Sequence, residues 1–148
     1  MNAERVVAAT TNISASVQNV WAVLTDFERY SRWHPTLSLA PPPSVDAGNL
    51  LEGQALADDG QASHFMVTLV EVERPRRLVW EGGVRGILFG SHSFLLDQRA
   101  DGTTGLTDSE EFSGVEADTF LAEHPNLVDS YQLNGAALKR YVEGPSAP

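Results

Sequence analysis

From Pro35 onward the chain breaks into six short strand-like runs, closed by one long helical segment, and this order leaves few ways to build a core. The runs cover residues 36–41, 50–57, 63–73, 76–82, 89–99 and 104–113. Turn signals divide them at Asp46-Ala47-Gly48, Asp58-Asp59-Gly60, Arg74-Pro75 and Asp101-Gly102. Serial strands with short connections predict a meander of antiparallel hairpins. At the C-terminal end Leu127, Tyr131, Asn134, Leu138 and Tyr141 recur at helical spacing, which predicts a helix over about Asn126 to Val142. Pro125 suits its first position, and Glu116 to Glu123 reads as a separate turn of helix. An antiparallel sheet with one apolar face needs a cover, and the last helix is the only element long enough to supply it. The expected class is therefore α+β.

The N-terminal part completes the pattern. Residues 4–14 read as a first strand, and the Ser14-Ala15-Ser16 segment offers a serine as helix cap. An amphipathic helix is expected over 17–27, with Val17, Val20, Trp21, Leu24 and Phe27 on its packing face. A second short helix or turn follows near 28–33, ending in the aromatic stretch Tyr30-Ser31-Arg32-Trp33-His34-Pro35. Pro41-Pro42-Pro43 reads as a loop or strand end rather than a boundary. No internal repeat is visible, and one domain over 1–148 is expected.

Composition excludes several classes of function. With 20 acidic against 10 basic residues, the net charge is −10. Nucleic acid and anionic membrane are not expected partners, since both need a basic footprint. No cysteine is present, so disulfides, thiol nucleophiles and thiolate metal sites are ruled out. The first twelve residues lack a basic stretch followed by an apolar run, and no apolar segment reaches bilayer length. A cytoplasmic location is the resulting expectation.

The strand–helix–helix opening and the Trp33-His34-Pro35 turn resemble the start of the START-like superfamily, also called SRPBCC. Later motifs are similar to its bacterial polyketide cyclase/dehydrase and lipid-transport group: Glu73-Arg74-Pro75, Leu78-Val79-Trp80, Gly90-Ser91-His92-Ser93-Phe94, and Glu110-Glu111-Phe112-Ser113-Gly114. The resemblance covers nearly the whole chain. It implies the helix-grip fold: a seven-stranded antiparallel sheet wrapped around a long C-terminal helix, with two short helices after strand 1. It also implies an internal cavity for a hydrophobic small molecule. One scaffold of this kind hosts many functions.

Alternation along the strands selects the cavity candidates. Leu78 and Trp80, then His92, Phe94 and Leu96, then Leu106, Asp108, Glu110 and Phe112 each share a face. If the Asp101-Gly102 turn has a three-residue loop, Phe94 faces Glu110 and His92 faces Phe112, which makes His92 and Glu110 diagonal neighbours. His92 and Glu110 are the candidate catalytic pair: a carboxylate that fixes an imidazole's tautomer, and an imidazole able to move a proton. Mutual satisfaction of buried polar groups is the structural alternative. Trp80, Phe94, Asp108, Phe112, Phe120, Leu127 and Tyr131 are candidate ligand contacts. His34 is another, weighed against a turn residue bonded to backbone; in START-like proteins its turn lies near one end of the cavity. His64 and His124 fall at element ends and read as surface residues. The four histidines lack metal-ligand spacing, so no metal site is expected. The segment Gly82–Gly90 reads as a glycine-bounded apolar loop suited to a gate, with Arg85 as its one cation. There is no G-x-S-x-G elbow.

Three functions fit this reading. The first is binding of a hydrophobic or aromatic small molecule by a carrier, sensor or sequestering protein. The second is a cofactor-independent cyclase or dehydratase acting on a polyketide-like substrate, in which His92, Glu110 or Tyr131 moves protons and orientation supplies much of the rate. The third is a protein-interaction module similar to the chaperone-activating branch of the superfamily. None calls for a cofactor. Ligand identity and oligomeric state do not follow from the residues.

Overall fold

The computed structural model describes residues 5–57 and 59–144. Residue 4, Asp58 and the last four positions, on which parts of the expected first strand, the Asp58–Gly60 turn and the 1–148 domain fall, lie outside the described residues. Seven strands form one antiparallel sheet: β1 (Val6–Ile13), β2 (Leu37–Leu39), β3 (Leu50–Leu56), β4 (Ala62–Glu73), β5 (Arg77–Val84), β6 (Leu88–Gln98) and β7 (Thr104–Ser113). Their spatial order is β1-β7-β6-β5-β4-β3-β2. Every neighbouring pair except β1–β7 is a sequential hairpin. The first strand closes the sheet against the last, so the chain's two halves are joined by hydrogen bonds that span the whole sequence.

Helix α1 (Val17–Leu24) starts where expected, because the Ser16 side chain accepts a hydrogen bond from the Asn19 N–H at 3.2 Å. It stops earlier than the expected residue 27. Thr25 takes the C-cap position, its hydroxyl donating to the Trp21 carbonyl, and the chain continues as a 3-10 helix over Phe27–Arg32. Helix α2 (Ala117–Glu123) is the expected separate turn, and α3 (Leu127–Glu143) is the long helix. Pro125 lies in the turn before α3 rather than in its first position.

Helix α3 lies chiefly along β1. Tyr131, Gly135, Ala137 and Leu138 form its buried face, whereas Tyr141 is exposed. Gly135 sets the approach: a Cβ there would overlap the Thr11 side chain on β1. Gly135→Ala is expected to destabilise the protein by about 1–2 kcal/mol, overpacking outweighing the better helix propensity of alanine. Thr11→Ala in the same chain should recover most of the loss, and paired urea denaturation curves measure it.

The main core cluster joins α1 and the 3-10 helix (Val20, Leu24, Phe27, Tyr30) to the sheet's inner face (Leu51, Leu69, Leu78, Trp80, Phe94, Leu96). A second cluster gathers Val7, Ala9, Phe112, Ala117 and Tyr131, with Phe120 and Leu127 packed against it. Between the two clusters lie the polar residues of the sheet's inner face.

Two further sequence expectations need correction. The segment Gly82–Gly90 is not a loop. Gly82–Val84 and Leu88–Gly90 pair as strands, Val84 opposite Leu88, so only residues 85–87 turn. The glycines that suggested mobility have strand or turn roles: Gly83, at φ +104°, would overlap the Leu88 backbone if it carried a Cβ. The β6–β7 register also differs. Phe94 faces Asp108, His92 faces Glu110, and Gly90 faces Phe112. The three-residue loop is Ala100-Asp101-Gly102, closed by the Arg99 N–H donating to the Thr103 carbonyl at 2.8 Å. Gly102 has φ +89° and takes the last loop position, where a left-handed residue is required. Asp101 accepts from the Thr103 N–H at 2.9 Å.

Candidate functional site

The inner face of β5, β6 and β7 carries a continuous aromatic and polar row. Register brings Trp80 opposite His92, His92 opposite Glu110, and Phe94 opposite both Leu78 and Asp108. The His92 ring stacks on Phe94 (centroids 4.5 Å apart, planes 15° apart) and on Tyr131 from α3 (5.4 Å, 24°). Trp80 meets Phe94 edge-on at 4.9 Å. Such offset and edge contacts add to the area these rings bury.

Four titratable groups join inside this aromatic frame. His92 Nε2 lies 2.5 Å from Asp108 Oδ1, and His92 Nδ1 lies 3.5 Å from Glu110 Oε1. The Tyr131 hydroxyl donates to the same Glu110 oxygen. The His92–Glu110 proximity was expected from the sequence; the principal partner, Asp108, was expected only as a ligand contact. The two carboxylates divide the work. Asp108 is 5% exposed and holds one ring nitrogen; Glu110 is more open, with its side chain 20% exposed, and links the imidazole to the phenol.

The sequence marked Gly90 only as the end of the expected loop and the start of the Gly90-Ser91-His92-Ser93-Phe94 motif, not as part of the site. It stands two positions before His92 on the same face, and a Cβ there would overlap the Glu110 carboxylate. The absence of a side chain is what lets the carboxylate lie in place. The signal was a glycine at an inward position of an alternating strand.

The electrostatics follow from burial and neighbours. Burial pushes the His92 pKa down, but the hydrogen bond and charge of Asp108, with the Glu110 charge beside it, outweigh burial and hold it above 6.5. Burial, then the Glu110 charge and hydrogen bond, push the Tyr131 hydroxyl up, so it remains a donor. Tyr30 is also held well above its ordinary value by burial and by Asp108; its hydroxyl donates to the Leu24 carbonyl at 2.5 Å.

His34 is placed differently. Its Nδ1 accepts from the Thr36 and Leu37 N–H groups, each at 3.1 Å, and its ring stacks on Tyr30. Backbone bonding of this turn residue is the structural alternative the sequence raised. Burial, then the charge of His92, lowers its pKa to about 4. A lowered histidine pKa means that the unfolded chain binds the proton more readily. Its stabilising contribution is present above pH 6.5 and is lost as pH falls through 6.5 toward 4. The full shift corresponds to roughly 3 kcal/mol. His34→Gln should therefore flatten the fall of unfolding free energy over this window by about 1–3 kcal/mol, read from denaturation at matched pH.

The other candidates divide by position. Phe112 and Phe120 contact each other at 5.2 Å and lie with Leu127 in the second cluster, at the α2 end of the row. His64 and His124 are exposed. His64 meets Glu52 at 2.7 Å. Two surface clefts lie elsewhere. One of about 340 Å³ is on the outward face of the sheet, beside Glu81, Ser91, Ser93, Ser109 and Glu111. Another of about 390 Å³ lies between the 3-10 helix and the end of α3. Neither is lined by the His92 group. Among the described residues no helix is long and apolar enough to cross a membrane.

Comparison with solved structures places this architecture among helix-grip proteins. Protein Ms6760 from Mycobacterium smegmatis superposes with TM-score 0.78 at 11% identity, over 98% of this chain and 94% of that one. The di-domain ARO/CYC BexL from the BE-7585A biosynthetic pathway superposes with TM-score 0.70 at 15% identity, over 97% of this chain and 52% of that one. Ara h 8.0201 gives TM-score 0.68 at 16% identity, over 93% and 97% of the two chains. A search of curated protein sequences finds no match. In sequence, residues 4–143 match the family described as polyketide cyclase / dehydrase and lipid transport. With the seven-stranded sheet, the long helix and the family's sequence pattern over nearly its whole length, the chain belongs to this START-like, SRPBCC-type family.

Proposed function

We propose that the space between the sheet's inner face and α3 takes an uncharged hydrophobic or aromatic small molecule, with His92, Asp108, Glu110 and Tyr131 as its polar contacts. The observation that carries this reading is the joined set of four titratable groups inside an aromatic frame. Apolar side chains would have filled the same volume without the cost of burying carboxylates. Two carboxylates facing one imidazole leave the group net negative even when His92 is protonated, which disfavours an anionic ligand. A ligand with hydroxyl, enol or phenol donors matches it. Trp80 and Phe94 supply the flat apolar wall, and Phe112, Phe120 and Leu127 extend it toward α2.

A second reading is favoured by the His92–Asp108 hydrogen bond. A carboxylate that fixes one ring nitrogen leaves the other, Nδ1, beside Glu110 to exchange a proton with a bound molecule. This is the cofactor-independent cyclase or dehydratase on a polyketide-like substrate. BexL is described as an ARO/CYC protein of a biosynthetic pathway, and the proposal extends that chemistry to this chain.

Native mass spectrometry of the purified protein, followed by solvent extraction of what travels with it, is the direct test. A bound apolar molecule released on denaturation supports the interior site. Titration with a neutral fluorescent probe separates the site from surface adsorption. Phe94→Leu keeps most of the core volume and is expected to weaken the probe by about 1–2 kcal/mol through loss of the ring contact. Unchanged affinity in a folded variant counts against the interior site.

A further inference from the structure

The cleft between the 3-10 helix and the end of α3 lies apart from the His92 group and has a different chemistry. Its walls are Arg32, Trp33, Ala137, Arg140, Tyr141 and Gly144. The chain carries twice as many acidic as basic residues, so most cations have a carboxylate at hand. Of the ten Lys and Arg residues, all but Arg32, Arg99 and Arg140 hold an Asp or Glu oxygen within 4.0 Å among the described residues. Arg99 lies across Gly105 on the β6–β7 hairpin. The other two line one cleft.

Two carboxylates of the adjoining elements are committed elsewhere. Glu143, in the last turn of α3, accepts from Lys139 Nζ at 2.6 Å and from the Ser14 N–H at 2.8 Å. Asp26 holds Arg29 at 2.9 Å. The negative end of the α3 dipole attracts Arg140 but does not give it a bidentate partner. The Trp33 indole Nε1 is buried with no hydrogen-bond partner, an uncommon state for a buried donor. Trp33, Ala137 and Tyr141 make the remaining wall apolar and aromatic. A volume of about 390 Å³ is at the small-ligand end of the usual range.

The geometry points to a second binding site in this cleft for a small organic oxyanion, a carboxylate or phosphate ester attached to an aromatic or aliphatic body. The Arg32 and Arg140 guanidinium groups take the anion, and Trp33 and Tyr141 take the body. Guanidinium suits both oxyanions because its paired donors match their spacing. This site is independent of the interior one, whose carboxylates disfavour anions. The two can therefore fail separately.

The test is titration of the intact protein at low ionic strength with 1-naphthoate, 1-naphthyl phosphate, 1-naphthalenemethanol and inorganic phosphate. Calorimetry reads affinity, and 1H–15N spectra of the three indole signals, assigned with Trp33→Phe, read position. The expected result is binding of both naphthyl anions, movement of the Trp33 signal ahead of that of Trp80, and weaker binding of the neutral alcohol and of inorganic phosphate. The tighter anion identifies the head group. Arg32→Gln and Arg140→Gln lie on exposed side chains and should each weaken binding about fivefold, with added salt acting in the same direction. Arg99→Gln should leave it unchanged. Equal binding of the alcohol, indifference to both arginine variants, or a response centred on Trp80 overturns the assignment. Inorganic phosphate binding as tightly as its naphthyl ester overturns the role of the aromatic wall.

Discussion

Asp108→Asn is expected to destabilise the protein by about 3 kcal/mol at pH 6, and by much less at pH 9. The variant keeps the side chain's shape but removes the charge that holds His92 above its ordinary pKa. Losing one partner of a buried pair leaves the other uncompensated, an effect of roughly 3–5 kcal/mol when the remaining charge cannot be relieved. Here it can be relieved, because an imidazole can release its proton. The sign follows from linkage. In the wild-type protein His92 is raised, so its contribution is fully present below pH 6.5 and is lost as pH rises through the raised value. In the variant, burial acts with less opposition and the imidazole pKa falls. Stability is then lost on the acid side instead. The two denaturation profiles should converge with rising pH, and parallel profiles between pH 6 and 9 would mean that the pair carries no charge.

That pair also shows where the sequence was legible and where it was not. Strand alternation identified the inward row correctly, because Trp80, His92, Phe94, Asp108, Glu110 and Phe112 share one face whatever the even-numbered register. The partner of His92 depended on where a single loop closes. The glycine itself held the answer: in a three-residue loop the left-handed position comes last, so Gly102 places the loop at residues 100–102 and aligns His92 with Glu110 and Phe94 with Asp108. Centring the loop one residue later moved every β6–β7 pair by two. Gly82–Gly90 misled for the opposite reason, since glycines in paired strands and in a mobile loop look alike until the partner backbone is known. The long helix was legible within a residue or so at each end because its apolar spacing persists over seventeen residues. The Arg32–Arg140 cleft had no sequence signal. A cation is left without a carboxylate only by the three-dimensional placement of every acid around it.

For the cyclase reading, His92→Gln is the decisive variant and is expected to lower turnover by roughly 10²–10⁴, the usual worth of a positioned general acid or base. Glutamine keeps a polar group near Asp108 and Phe94, so binding of a neutral apolar ligand should change little. Loss of kcat with KM held places the residue in proton transfer, whereas a rise in KM alone places it in recognition. Glu110→Gln and Tyr131→Phe refine the assignment. Glu110 shares one oxygen between the phenol and the neighbourhood of His92 Nδ1, so removing its charge should lower the His92 pKa and shift the pH profile of the remaining activity toward acid. Tyr131→Phe frees that carboxylate oxygen without removing charge and should shift the profile less. A protein that binds its ligand, releases it chemically unchanged and shows these pKa movements by NMR would be a carrier with a polar recognition group. The same four residues would then serve to select ligands by their hydrogen-bond donors rather than to transform them.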